Sequence, residues 1–132
     1  MKIALFSSCL LIVMACTTAK ESTTTKNFSE KNKDLRYGYS ASNPIKVGGV
    51  TDGPARERDY LYSLSGPSGE KIWFSRQGSC CAFKTENSPF GDNALLDKYS
   101  VTYEGKGDTV TLYLNMYDED VLYAPEGFKF RM

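Results

Sequence analysis

Histidine is absent from all 132 residues. Without it there is no imidazole for acid–base work near neutral pH. There is also no Ser-His-Asp type of triad, and most zinc and copper ligand sets are excluded. Any catalysis would fall to Cys, Asp, Glu, Lys or Tyr. Charge of one sign is missing too, since 16 Lys plus Arg balance 16 Asp plus Glu. No basic stripe runs along the chain, so the electrostatic attraction behind nucleic-acid binding is lacking, and no nucleic-acid partner is expected. There is no internal repeat, and no GxGxxG or GxxxxGK phosphate loop; Val47-Gly48-Gly49 reads as a turn. No cofactor is expected, and no metal site. Ile3 to Met14 is an apolar run too short to span a bilayer as a stable helix.

That run carries the first positive signal. It follows Met1-Lys2 and ends in Val13-Met14-Ala15-Cys16. A basic start, a short apolar core and a small residue before Cys16 resemble the bacterial lipobox. The resemblance implies that residues 1–15 are a lipoprotein signal peptide, that Cys16 receives a diacylglycerol, and that its new amino group is acylated. Several acyl chains anchor where one does not. The expected address is the bacterial cell envelope, lipid-anchored to a membrane, with the domain in the periplasm or at the cell surface. Thr17 rather than Asp follows the cysteine, which under enterobacterial sorting implies the outer membrane. Residues 16–42 read as a flexible tether. They are rich in Thr, Ser, Lys, Asn and Glu, and so poor in apolar groups that burial would not offset the entropy of ordering them. About 25 such residues reach roughly 25–30 Å. Residues 43–132 are then a single globular domain.

Nine Tyr, seven Phe and one Trp suit a sheet-rich core or an adhesive surface. Pro44 to Val50 reads as a short strand ending at the glycine pair. Gly53-Pro54 opens a helix running to about Leu64, with Asp52 as its cap, Tyr60, Leu61 and Leu64 inward, and Arg56, Glu57, Arg58 and Asp59 on the solvated side. Lys71 to Arg76 is the next strand, and Lys84 to Asn93 a polar loop. Tyr99, Val101 and Tyr103 alternate, as do Val110, Leu112, Leu114 and Met116, with a turn over Glu104 to Asp108; this is a hairpin. Val121 to Phe130 is an extended wrapping segment, since Pro125 disfavours a central strand. The expected fold is α+β, one helix packed on a small antiparallel sheet of four or five strands.

The most unusual pair is Cys80-Cys81. Three readings stay open: two free thiols, both buried or one buried and one exposed on opposite faces of a strand; a disulfide between neighbours that acts as a rigid turn or apolar contact; and a redox or soft-metal site. Export favours oxidation. Arg76 and Lys84 flank the pair and would lower a thiol pKa if they pointed at it. Asp97, Glu104, Asp118, Glu119 and Asp120 lie near strand ends, where a solvated rim explains them best. Tyr113, Asn115 and Tyr117 alternate on the outer face of the second hairpin strand as a contact stripe for an envelope protein or glycan.

Several blocks together resemble a known family: Asn43-Pro44-Ile45-Lys46-Val47-Gly48-Gly49, Gly78-Ser79-Cys80-Cys81-Ala82-Phe83, Leu112-Tyr113-Leu114-Asn115-Met116-Tyr117-Asp118 and Ala124-Pro125-Glu126-Gly127-Phe128. The chain is similar, from about residue 43 to 130, to small exported bacterial proteins that often carry the name 2-dehydro-3-deoxyphosphooctonate aldolase. That name implies a sugar-phosphate enzyme built as a (β/α)₈ barrel of about 250 residues. About 90 folded residues without histidine or a phosphate loop do not make one. The family resemblance therefore implies an exported domain rather than that reaction. A non-catalytic binding domain is the leading expectation, with a thiol-redox enzyme centred on Cys80 and Cys81 as the alternative.

Overall fold

The structure, a computed structural model, describes residues 34–132 and the backbone of Phe28–Ser29. The leader, Cys16 and, that pair apart, the tether as far as residue 33 lie outside the described residues. The fold is α+β. In chain order the elements are β1 (Phe28–Ser29), β2 (Ile45–Lys46), α1 (Gly53–Tyr62), β3 (Leu64–Ser65), β4 (Ile72–Lys84), β5 (Asn93–Tyr103), β6 (Val110–Asn115), β7 (Leu122–Tyr123) and β8 (Lys129–Phe130).

Four strands form the main sheet in the order β2-β6-β5-β4. The expected hairpin is its centre: β5 and β6 pair antiparallel from Asp97 opposite Leu114 to Val101 opposite Val110. β4 extends the sheet antiparallel to β5, from Ile72 opposite Tyr103 to Lys84 opposite Asn93. β2 lies parallel to β6, which makes the sheet mixed rather than wholly antiparallel. A parallel neighbour needs a long crossover, and here α1, β4 and β5 all lie between the two strands in the chain. Two further pairs close the periphery, β3 with β8 antiparallel and β1 with β7 parallel.

Alternation supplies the core. Val101, Leu112 and Leu114 are wholly buried, and they meet Ile45, Tyr60, Leu61 and Leu64. Each such side chain contributes on the order of 2 kcal/mol by leaving water. Tyr60 keeps its hydroxyl satisfied by donating to the Tyr123 carbonyl at 2.6 Å. Phe74 packs edge-on against both Tyr62 and Tyr99, at 5.0 and 6.1 Å between centroids.

The helix is shorter than the sequence suggests. It ends at Tyr62, and Leu64 turns into β3 opposite Phe130. Asp52 makes no side-chain cap; its carboxylate instead accepts the Arg56 guanidinium at 3.1 Å. Glu57, expected on the solvated side, is completely buried.

The body also starts earlier than the composition suggests. Tyr37 is only 6% exposed and sits in the core. The Gly38 N–H donates to the Asn43 carbonyl at 2.9 Å, and the Gly38 carbonyl accepts the Tyr113 N–H at 2.8 Å. Gly38 adopts φ +80°, and a Cβ there would lie 2.7 Å from Ile45 Cδ1. Both facts call for glycine. Residues 34–42, within the segment read as tether, are thus part of the fold.

Candidate functional site

β4 and β5 outrun the rest of the sheet. β6 accompanies β5 only over Asp97 to Val101, so from residue 96 outward the two strands form a two-stranded arm. Its connection, residues 85–92, closes through the Thr85 N–H bonding to the Asp92 carbonyl at 2.9 Å. The expected loop over 84–93 is therefore the tip of a long hairpin.

Two bulges bend β4 where the arm leaves the sheet. Arg76 lies opposite Tyr99 but Gly78 opposite Lys98, so Gln77 is an extra residue. Cys80 lies opposite Leu96 but Ala82 opposite Leu95, so Cys81 is a second. Gly78 takes φ +114° at the first bulge and Cys81 takes φ 62° at the second. Cys81 is the one non-glycine residue among those described in this left-handed region, which costs an L-residue on the order of 1 kcal/mol. The cause is covalent: a disulfide joins Cys80 to Cys81, with Cα atoms 3.7 Å apart. Of the three readings open from sequence, two thiols on opposite faces is overturned. That reading assumed an unbroken strand, and the bulge takes Cys81 out of the alternation. Cys81 is exposed and Cys80 half-buried.

Next to the disulfide along β4 and β5 is a polar cluster. Arg76 grips Asp97 with two nitrogens, Nε to Oδ2 and Nη2 to Oδ1, both at 2.9 Å. The Ser79 hydroxyl donates to Asp97 Oδ1 at 2.7 Å and accepts from Arg76 Nη2 at 2.7 Å. Asp97, expected on a solvated rim, is 3% exposed. The rim reading fails because a cross-strand arginine supplies the partner that burial of a carboxylate demands. Burial works against ionisation of Asp97. The hydrogen bonds from Arg76 and Ser79 and the Arg76 charge outweigh it and hold the carboxyl below its ordinary 3.8.

Glu57 meets this cluster from the helix. Its Oε2 accepts the Tyr99 hydroxyl at 2.9 Å, while its Oε1 has no partner among the described residues. Burial, and then the neighbouring Asp97 charge, push its carboxyl up from 4.5 to about 7. A proton on the Glu57 carboxyl gives it something to donate, and Asp97 is the charged group whose nearness favours that proton. The same burial and the Glu57 charge raise Tyr99, so the phenol stays protonated as donor.

A second cluster braces the arm from outside. The Thr85 hydroxyl and Asn87 amide donate to Asp118 Oδ1 at 2.6 and 2.9 Å, and the Asn115 amide donates to Oδ2 at 2.9 Å. These bonds overcome the burial of Asp118 and lower its pKa. Phe83 lies edge-on to Tyr117 at 6.1 Å.

The residues singled out in sequence separate accordingly. Arg76, Asp97, Cys80 and Cys81 come together at the root of the arm, and Lys84 ends β4 exposed to solvent. Tyr113, Asn115 and Tyr117 do not form an open stripe. Asn115 is buried, with its side-chain oxygen taking the Tyr117 and Asp118 N–H groups; Tyr117 is half-buried on Phe83; and Tyr113 is half-buried where its N–H meets Gly38. The arm's exposed apolar groups are instead Cys81, Ala82, Leu95 at 48% exposure and, at the tip, Phe90 at 88%. Sequence reasoning missed Phe90, although an aromatic between Pro89 and Gly91 in a polar loop has no core to enter. It also missed Glu57, Ser79 and Tyr99, which matter through the partners the fold gives them. Among the described residues, no helix is long and apolar enough to cross a membrane. No family model, no curated protein and no solved structure matches the chain.

Proposed function

We propose that the chain is a lipid-anchored protein of the bacterial cell envelope, held to the membrane through Cys16, whose domain is a non-catalytic binding module. It presents the 77–96 arm to an envelope protein or glycan. One observation carries this reading: the arm holds apolar groups out to solvent, while the two carboxylates at its base are taken up by neighbouring side chains. Asp97 is taken by Arg76 and Ser79, and Asp118 by Thr85, Asn87 and Asn115. Leu95 and Phe90 stand exposed on that stiffened support. Exposed apolar groups on a braced scaffold are the pattern of a binding hot spot, because little ordering entropy is lost on docking.

Site-specific photo-cross-linking in the native envelope tests this. A cross-linker at residue 90 or 95 is expected to capture one recurring partner. The same group at residue 107, in the turn at the far end of β5, is expected to capture none. Equal labelling from all three positions refutes the arm as the docking surface. Anchoring is tested separately: radiolabelled fatty acid should mark the chain and fail to mark Cys16→Ser.

A further inference from the structure

The cysteine pair has a chemistry that a binding surface alone does not use. Cys81 is an exposed residue and Cys80 a half-buried one, and the bond between them lies on β4, an outer strand of the main sheet. An external thiolate therefore has access to one sulfur in preference to the other. The bond also joins residues at a backbone arrangement that an L-residue resists, with Cys81 at φ 62° as the extra residue of a bulge. Outside that bulge, residues 82–84 pair with 93–95 and with no third strand.

We propose that Cys80–Cys81 is a thiol–disulfide exchange site for a dithiol reductant, attacked at Cys81 Sγ, and that its opening loosens the outer half of the arm. A thiolate of the dithiol bonds to Cys81 Sγ. The bond between the two cysteine sulfurs breaks, and its electron pair leaves on Cys80 Sγ, which takes a proton from water. The second thiolate of the dithiol then attacks the sulfur its own molecule has bonded to Cys81. This releases Cys81 as a thiolate, protonated in turn. Two electrons pass to the protein: the dithiol ends as a disulfide, and Cys80 and Cys81 as two thiols. With the ring open, Cys81 is free to leave the left-handed region, which a side chain resists and a glycine does not. The second bulge then loses the constraint that fixed it. Phe83 on Tyr117, and Thr85 and Asn87 on Asp118, remain as the braces of the outer arm.

This chemistry needs no docking partner, so it stands or falls apart from the binding reading. Two experiments on the full chain test it. In the first, glutathione is added and the adduct is located by fragmenting the tryptic peptide 77–84. The expected adduct is on Cys81, in at least about tenfold excess over Cys80; an adduct chiefly on Cys80, or none, overturns the assignment. In the second, amide hydrogen exchange is compared before and after dithiothreitol. Exchange at 82–94 should rise about tenfold, while that at 97–101 and 110–114 stays unchanged. The Cys80→Ser/Cys81→Ser variant should match the reduced protein, and Cys80→Ser/Cys81→Gly should stay closer to the oxidised one, because glycine accepts φ 62° without the bond. If reduction leaves 82–94 as protected as before, or if the serine and glycine variants exchange alike, the arm is not held by the disulfide. If the serine variant fails to fold, the reductant and glycine comparisons still decide the matter.

Discussion

Glutamate 57 allows a quantitative test of the polar cluster. Its carboxyl is fully buried and pushed up to about 7, against 4.5 for an exposed glutamate. The folded protein therefore keeps a proton that the unfolded chain releases between these two values. Stability from this group is fully present below about pH 4.5 and declines as pH rises through about 7. The difference of about 2.5 units corresponds to about 3 kcal/mol lost by pH 8. For a domain near 100 residues that is a large part of a typical total of about 5–15 kcal/mol, and on the order of 15 °C in Tm. Glutamine imitates the protonated acid: its carbonyl can accept the Tyr99 hydroxyl and its amide can donate to Asp97. Glu57→Gln is therefore expected to match the parent within about 1 kcal/mol at pH 5 and to exceed it by about 3 kcal/mol at pH 8. Urea titrations followed by far-ultraviolet circular dichroism from pH 5 to 9 would measure both. Parallel curves for parent and variant, or a parent that gains stability over that range, would refute a buried protonated Glu57.

Four further outcomes follow from the structure. Asp97→Asn removes the charge opposite Arg76 and the oxygen that accepts its Nε, leaving one carbonyl oxygen for Ser79, and should cost about 2 kcal/mol in the same titration at pH 7. In the parent, the lowered Asp97 and Asp118 carboxyls add stability above their ordinary 3.8 that is lost on further acidification, so the stability maximum should fall between about pH 4 and 5. Gly38→Ala puts a methyl group against Ile45 at a left-handed φ and should cost at least about 2 kcal/mol by thermal unfolding; a neutral change would return residues 34–42 to the tether. Phe90→Ala should leave Tm unchanged, within about 0.5 kcal/mol of stability, while abolishing cross-linking to the envelope partner from residue 95.

What could be read from the sequence was what short-range pattern controls. The β5–β6 hairpin announced itself through Tyr99, Val101, Leu112 and Leu114, because period-two alternation is a local property. Gly53-Pro54 located the start of the helix for the same reason. The apolar spacing runs two residues past the helix end because Leu64 continues it, yet β8 draws that residue into a strand. Glu57 is masked by its neighbours: among Arg56, Arg58 and Asp59 it looks solvated. Its spacing of three, four and seven residues to Tyr60, Leu61 and Leu64 nonetheless puts it on the buried face, and that signal was present. Asp97 looked like a rim carboxylate because its arginine partner is 21 residues away, beyond any local window. The parallel β2–β6 pair was hidden in the same way, being a long-range crossover. Cys80-Cys81 drew attention by rarity, but alternation could not say that a bulge would bring both sulfurs together.

The most direct test is the state of that pair in living cells. Cells would be quenched in acid, free thiols alkylated, disulfides reduced, and the new thiols alkylated with a second mass label. The 77–84 peptide would then be weighed. The expected result is that both cysteines carry the second label, the mark of a bond closed in an oxidising compartment on an exported, left-handed bulge. Both cysteines carrying the first label would contradict the exported address and the disulfide-held arm together.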